Sequence, residues 1–163
     1  MPLRRGRDAQ RWDRERLRTF RAVGSEAYVD EVNGYVAEVV DWKDQEPGRV
    51  VRVFSDEDDD IVAVLAYQVF HEPTVLVYVA LLAIRQGKGR QGYATDIAHG
   101  LIRHLDATHP GCRVTCKVVP GNTAMHQACS KWGAGEPTYS DDGYILYEFE
   151  LPQSLPGVVT PEP

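Results

Sequence analysis

Residues 74–84, TVLVYVALLAI, are apolar almost from end to end and run straight into RQGKGRQGYATDI, a loop with glycines at 87, 89 and 92. An unbroken apolar run of this length reads as a strand covered on both faces, in the middle of a sheet rather than at its rim. Beyond the loop, Ala94, Ile97, Ala98, Leu101, Ile102 and Leu105 recur at helical spacing, and His109-Pro110-Gly111 ends the periodicity. Strand, glycine loop and helix in direct succession restrict the chain to a layered fold in which a central strand delivers a helix N-terminus to one place.

The rest of the sequence fits around that unit. Residues 17–22 read as a short first strand. Ser25 is a candidate N-cap for a helix carrying Tyr28, Val32, Tyr35, Val36, Val39 and Val40 on one face, and Pro47-Gly48 closes it. Residues 49–54 and 61–70 read as a β-hairpin around the acidic turn 55–60, which lacks the Gly and spaced Glu of a calcium loop. Residues 113–119 form a strand, 122–132 a helix and 143–151 a last strand. The predicted order β, α, β, β, β, α, β, α, β is an α/β (α+β) single-domain arrangement, a mixed sheet flanked by helices.

A chain of 163 residues with 43% hydrophobic content supports one core and not two. It contains no apolar run of about 18 residues, and its arginine-rich start lacks an apolar stretch, so neither a membrane span nor a secretory signal is expected and a cytoplasmic location is. Three cysteines, an odd number, and five scattered histidines predict free thiols and no metal. The net charge of −6 is unevenly spread. Residues 1–21 hold eight arginines against three acids, leaving ten basic and 21 acidic residues elsewhere. The acidic body favours cationic ligands and disfavours nucleic acid, except through the arginine-rich arm, which would reach a phosphate backbone such as tRNA or the ribosome, or else be a solvated tail or short helix.

Glycines between a strand and a helix let backbone approach a ligand, and the helix's unpaired N–H groups favour an anion. Lys88 and Arg90 add charge, so a pyrophosphate is the expected guest. Gly87, Gly89 and Gly92 also satisfy the G-x-G-x-x-G dinucleotide fingerprint, but residues 112–119 hold no acid for a ribose, which weighs against an NAD-binding Rossmann-type enzyme.

The triplet Leu82-Ala83-Ile84, the glycine loop, Val118-Val119-Pro120-Gly121-Asn122 and the helix ending Lys131-Trp132-Gly133-Ala134 together resemble the acetyl-CoA-binding core of the GNAT superfamily, over residues 76–134. Gly89 to Ala94 falls on that family's R/Q-x-x-G-x-G/A loop, with glycine in the first place. Asn122, Ala124, Lys131 and Gly133 match its N-x-A-x(6)-K-x-G pattern. The resemblance implies a GNAT-like mixed, mostly antiparallel sheet and an N-acetyltransferase moving acetyl from acetyl-CoA directly to a primary amine. It implies that backbone groups of Leu82, Ala83 and Ile84 meet the pantetheine arm or the oxyanion, that Lys88, Gly89, Arg90, Gln91, Gly92, Tyr93 and Ala94 hold the pyrophosphate, and that Asn122 orients the CoA arm or simply caps its helix.

Family members commonly carry Tyr seven residues after the Asn and Glu on the central strand. Here Cys129 and Tyr78-Val79-Ala80 stand in those places. Cys129 is therefore the candidate proton donor, with a Cys129–His126 nucleophilic couple as an alternative, and Glu72 is the first candidate base, ahead of His71, Tyr139, Asp141, Asp142 and Tyr144. These departures keep a second reading open, a CoA-binding regulatory module with weakened catalysis. The expected acceptor is a cationic amine, of a small molecule or a protein. Self-pairing is expected to use Trp132 or an exposed strand edge. The divisions are a basic arm over 1–16, the GNAT-like domain over 17–151 and a disordered proline-rich tail over 152–163.

Overall fold

The computed structural model describes residues 6–24, 26–88, 92–118 and 120–150. Seven strands form one sheet in the order β1 (Arg7–Asp8), β2 (Arg49–Ser55), β3 (Ile61–Phe70), β4 (Leu76–Ile84), β5 (Arg113–Val118), β7 (Ile145–Glu150), β6 (Thr138–Tyr139). Every neighbouring pair is antiparallel except β4 with β5. This arrangement excludes the Rossmann alternative, whose doubly wound sheet needs successive parallel strands. Ser25 and the tail 152–163 lie outside the described residues.

Two cores lie on opposite faces of the sheet, and alternation along β4 divides its side chains between them. Leu82 and Ile84 pack with α3 (Tyr93–Thr108), which buries Tyr93, Ile97, Leu101, Ile102 and Leu105, and with α4 (Thr123–Lys131). Leu81 and Ala83 pack with Val36, Val39 and Val40 of α2 (Glu26–Gln45) and with Leu17 and Phe20. Both ends of α4 are written in its sequence. The Asn122 side chain accepts from the Met125 N–H at 3.2 Å. Gly133, at φ +95°, closes the C-terminus by donating to Ser130, while Ala134 donates to Cys129, a pair of bonds that a left-handed residue makes possible.

The arginine-rich segment departs from expectation. Residues 17–22 are not a strand. Arg14–Arg18 is a short helix, α1, and only Ala22 bridges to the sheet, at Arg85. The expected boundary between residues 16 and 17 falls inside α1, because Ala9, Asp13 and Leu17 are all buried. Two cations of this segment meet the acidic body directly, Arg14 pairing with Asp41 and Arg11 with Asp44 at 4.0 Å, while Asp8 of the segment pairs with Arg52 of the body at 3.0 Å. Charge complementarity within the chain thus absorbs much of what composition offered to an outside partner.

Asp13 anchors this packing. Its carboxylate is fully buried and accepts two hydrogen bonds from Arg7, both 2.7 Å, and one from the Gln10 N–H at 2.8 Å. Burial alone would raise its pKa, but the Arg7 and Gln10 hydrogen bonds outweigh it and hold the carboxyl below its usual range. Asp13→Ala is expected to cost about 3 kcal/mol, the lower end for breaking a buried pair because Arg7 can turn to solvent. The folded pKa is depressed, so this stabilisation is complete above pH ~4 and fades as pH falls through the lower folded value. Urea unfolding of both proteins from pH 7 to pH 3 should show the gap between them shrinking only below pH ~4.

Candidate functional site

The site begins as a defect in the sheet. Along β3, Ala66 faces Leu81 and Tyr67 faces Val79, so Ala80 is an extra residue on β4. Such a bulge bends its strand and reverses side-chain alternation. Before it, Val77 and Val79 face α3 and α4; after it, Leu82 and Ile84 do. The parallel ladder with β5 stops at Val79↔Cys116, and β5 continues along β7 alone through Lys117 and Val118. The two strands diverge from that point.

Residues 21–23 close the far end of the gap. The Ile84 carbonyl accepts from the Val23 N–H at 2.7 Å, and the Gln86 N–H donates to Arg21 at 2.6 Å, while Arg85 turns the other way and donates to Val62 at 2.8 Å. Strand alternation then fixes the direction of the preceding residues. Ala83 faces β3 opposite Val64, whereas Leu82 directs its N–H and C=O into the gap. Of the expected triplet, only Leu82 offers both backbone groups, since Ala83 is turned away and the Ile84 carbonyl is taken.

A cavity of about 470 Å³ passes through the opening, from Leu82, Met125 and Cys129 on the α3/α4 face to Tyr35, Glu38 and Tyr78 on the α2 face. Ala98, Leu101 and Ile102 of α3 line its first end, and the N-terminus of that helix follows the loop that leaves β4. Gly92 precedes that helix at φ +77°, a conformation other residues avoid, and its carbonyl accepts from Asp96. The N–H groups of Tyr93, Ala94 and Thr95 precede that first bond and have no acceptor within the helix. The Tyr93 side chain is core, so its role here is confined to backbone. Lys88 is committed elsewhere, its ammonium lying 3.4 Å from the buried Asp56 carboxylate, which also receives the N–H groups of Asp58 and Asp60. Gly89, Arg90 and Gln91 lie outside the described residues.

Asn122 both caps α4 and lines the cavity, and its oxygen also accepts from the Tyr28 hydroxyl at 3.2 Å, tying α4 to α2. Trp132, expected at a subunit contact, is buried, and its indole N–H donates to Thr95 at 3.3 Å, fixing the end of α4 to the start of α3.

Cys129 lines the cavity but is buried, with its sulfur 4.0 Å from that of Cys116. The hydrogen bond shared with Cys116 raises the Cys129 pKa, and burial adds to this, while the same bond lowers that of the half-exposed Cys116. A thiol pushed up is a poor nucleophile, the His126 ring lies 2.7 Å from the Tyr147 hydroxyl, and the side-chain partner of Cys129 is Cys116. Glu72 is exposed in the β3–β4 turn, at the end of β4 where the ladder with β5 is intact, and it does not line the cavity. His71 shares that turn and packs edge-on to His109. Asp142 and Tyr144 do line the cavity.

Sequence reading missed two groupings. One is the Cys116–Cys129 contact, a strand-to-helix approach with no signal in spacing. The other is Glu31, which accepts from the Tyr35 hydroxyl at 2.7 Å and from the Tyr144 hydroxyl across the mouth of the cavity; only the i, i+4 spacing of Glu31 and Tyr35 was visible beforehand.

No family model and no curated protein matches the sequence. Solved structures do match its shape. An acetyltransferase from Thermus thermophilus superposes with a TM-score of 0.72 at 14% identity, over 93% of this chain and 98% of that one. An acetyltransferase of the GNAT family from Staphylococcus aureus gives 0.70 at 10% identity, over 90% and 98%. The chain has the GNAT fold. The PaiA N-acetyltransferase of Thermoplasma acidophilum, in complex with coenzyme A, gives 0.69 at 10% identity, over 92% and 99%. In this GNAT-fold chain the described residues include no helix long and apolar enough to cross a membrane.

Gly92 supplies a direct test of the loop geometry. A Cβ there meets no neighbour within 4 Å among the described residues, so Gly92→Ala is expected to carry the left-handed backbone penalty, about 1–2 kcal/mol. The urea midpoint should fall accordingly, and an unchanged midpoint would mean that the turn does not hold this conformation.

Proposed function

We propose that the chain is an acetyl-CoA-dependent N-acetyltransferase that moves the acetyl group directly to a primary amine, in the cytoplasm. The observation that carries this reading is the unpaired backbone of Leu82 in the gap between β4 and β5, on the strand whose following loop leads to the N-terminus of α3. An extended pantetheine arm finds a strand edge there, and its pyrophosphate finds the N–H groups of Tyr93, Ala94 and Thr95 within a loop that Gly92 turns. The CoA complex of the similarly folded PaiA N-acetyltransferase supports the same choice of cofactor.

In the reaction the amine nitrogen attacks the thioester carbon, a C–N bond forms and the C–S bond breaks. The Leu82 N–H, aimed into the gap by the β3–β4 ladder on its other side, is the donor for the developing oxyanion, a role worth about 10²–10³ in rate. The thiolate that leaves belongs to a thiol with pKa ~8.5 and departs without an acid's help. Cys129 is poorly suited to protonate it, since its own pKa is pushed up by Cys116 and by burial. The amine's proton passes to bulk base through the open mouth, since Glu72 stands at the other end of β4.

Calorimetric titration with CoA is expected to show one site per chain, with NAD giving no heat. Absence of CoA binding overturns the reading, and binding with no thiol release on any amine of a broad panel favours the regulatory module instead. Among active-site variants, Glu72→Gln should change kcat/KM by less than about twofold, as for an exposed substitution away from the site. Cys129→Ala should leave kcat within about threefold, where loss of a true proton donor would cost at least about a hundredfold.

A further inference from the structure

The end of the cavity remote from α3 differs in chemistry from the rest. Glu31, Tyr35, Glu38 and Trp42 follow one another along α2 at spacings of four, three and four, and so share one face of the helix. Of these, Tyr35, Glu38 and Trp42 line the cavity, together with Tyr78 of β4 and Tyr144 ahead of β7. Glu31 lies behind the rings and fixes them, accepting from both the Tyr35 and Tyr144 hydroxyls. Tyr35 keeps 52% of its surface exposed. An aromatic side chain that lines a cavity, is held by its hydroxyl and stays half exposed adds little to the core.

The charges near this mouth do not balance. Lys117 is spent on Asp142 at 2.9 Å and lies 5.8 Å over the Tyr144 ring. Arg49 stacks on Trp42 at 4.5 Å and pairs with Glu46 at 3.6 Å. Glu31 and Glu38 are left as carboxylates with no basic partner among the described residues. Ring faces and uncompensated carboxylates around one opening select a cation, through the ring quadrupole and through charge.

We propose that this mouth is the acceptor subsite and that it takes an amine bearing a second positive charge, the remote ammonium seated among Tyr35, Tyr78 and Tyr144 with Glu31 and Glu38 around it. The proposal rests on the acetyltransferase reading and deepens it. The amine that reacts must be uncharged, so the recognised charge is the other one, and a diammonium chain offers both. A neutral-tailed monoamine offers the nucleophile but nothing for the tyrosines to hold.

The test compares 1,4-diaminobutane with butylamine, using the full chain saturated with CoA for binding and acetyl-CoA for turnover. The diamine should bind at least about tenfold more tightly, with a preference that weakens between 50 and 500 mM salt. Glu31→Gln and Tyr35→Leu should each reduce that preference severalfold, while the affinity for CoA alone stays unchanged and reports that the variants are folded. Equal affinity for the two amines in the wild-type protein, or a preference that survives in Glu31→Gln combined with Glu38→Gln, overturns the proposal. Failure of CoA to bind while the diamine still binds selectively overturns the acetyltransferase reading instead and leaves the cation site standing.

Discussion

Everything at the site depends on one interrupted ladder. β4 and β5 are the only parallel neighbours in the sheet, and they stay bonded for four residue pairs, from Leu76↔Arg113 to Val79↔Cys116. The extra residue at Ala80 then bends β4 while β5 follows β7. A sheet interior normally leaves no backbone group unpaired, because a buried N–H or C=O without a partner is costly. The exception at Leu82 is tolerable only where something else meets those groups, and the proposed pantetheine arm would do so.

Keeping that gap open requires that its walls be held apart as well as near. Trp132 to Thr95 ties the end of α4 to the start of α3, Asn122 to Tyr28 ties α4 to α2, and the Val23 and Arg21 bonds fix the far end of β4. Glu31 bridges α2 to the segment before β7 through Tyr144. These contacts join elements far apart in sequence, so the cavity is a property of the assembled fold. Its two ends are chemically distinct for the same reason: one is lined by apolar side chains of α3 and α4, the other by tyrosines and carboxylates on α2, β4 and the loop before β7.

Much of the local geometry around the proposed cofactor side was legible in the sequence. The apolar run 74–84, the glycine at 92 and the Asn122…Gly133 pattern each encode local geometry: a central strand, a left-handed turn and the two caps of one helix. Local geometry is what spacing can encode. The proposed acceptor side was far less legible, because Tyr35, Tyr78 and Tyr144 come from three elements; in the sequence Tyr144 stands only as a candidate base and Tyr78 only in place of a strand Glu, and nothing in their spacing groups them. Glu72 shows how sequence proximity misleads, since eight residues separate it from Ala80 and a strand carries those residues to the opposite end of the sheet. Cys129 shows the same for chemistry. Its position was found by counting from Asn122, but its acidity is decided by Cys116, which spacing does not connect to it.

The sequence by itself determined the strand, the turn and the helices around the gap, because apolar periodicity, a glycine at positive φ and capping residues act within a few residues of where they stand. It also determined the charge imbalance between the first 21 residues and the rest. Only the tertiary structure decided that Arg7, Arg11 and Arg14 are answered by the chain's own aspartates, that Leu82 and not Ala83 faces the opening, and that three tyrosines meet at its mouth. Those outcomes depend on strand register and on which faces are pressed together, and no residue carries that information alone.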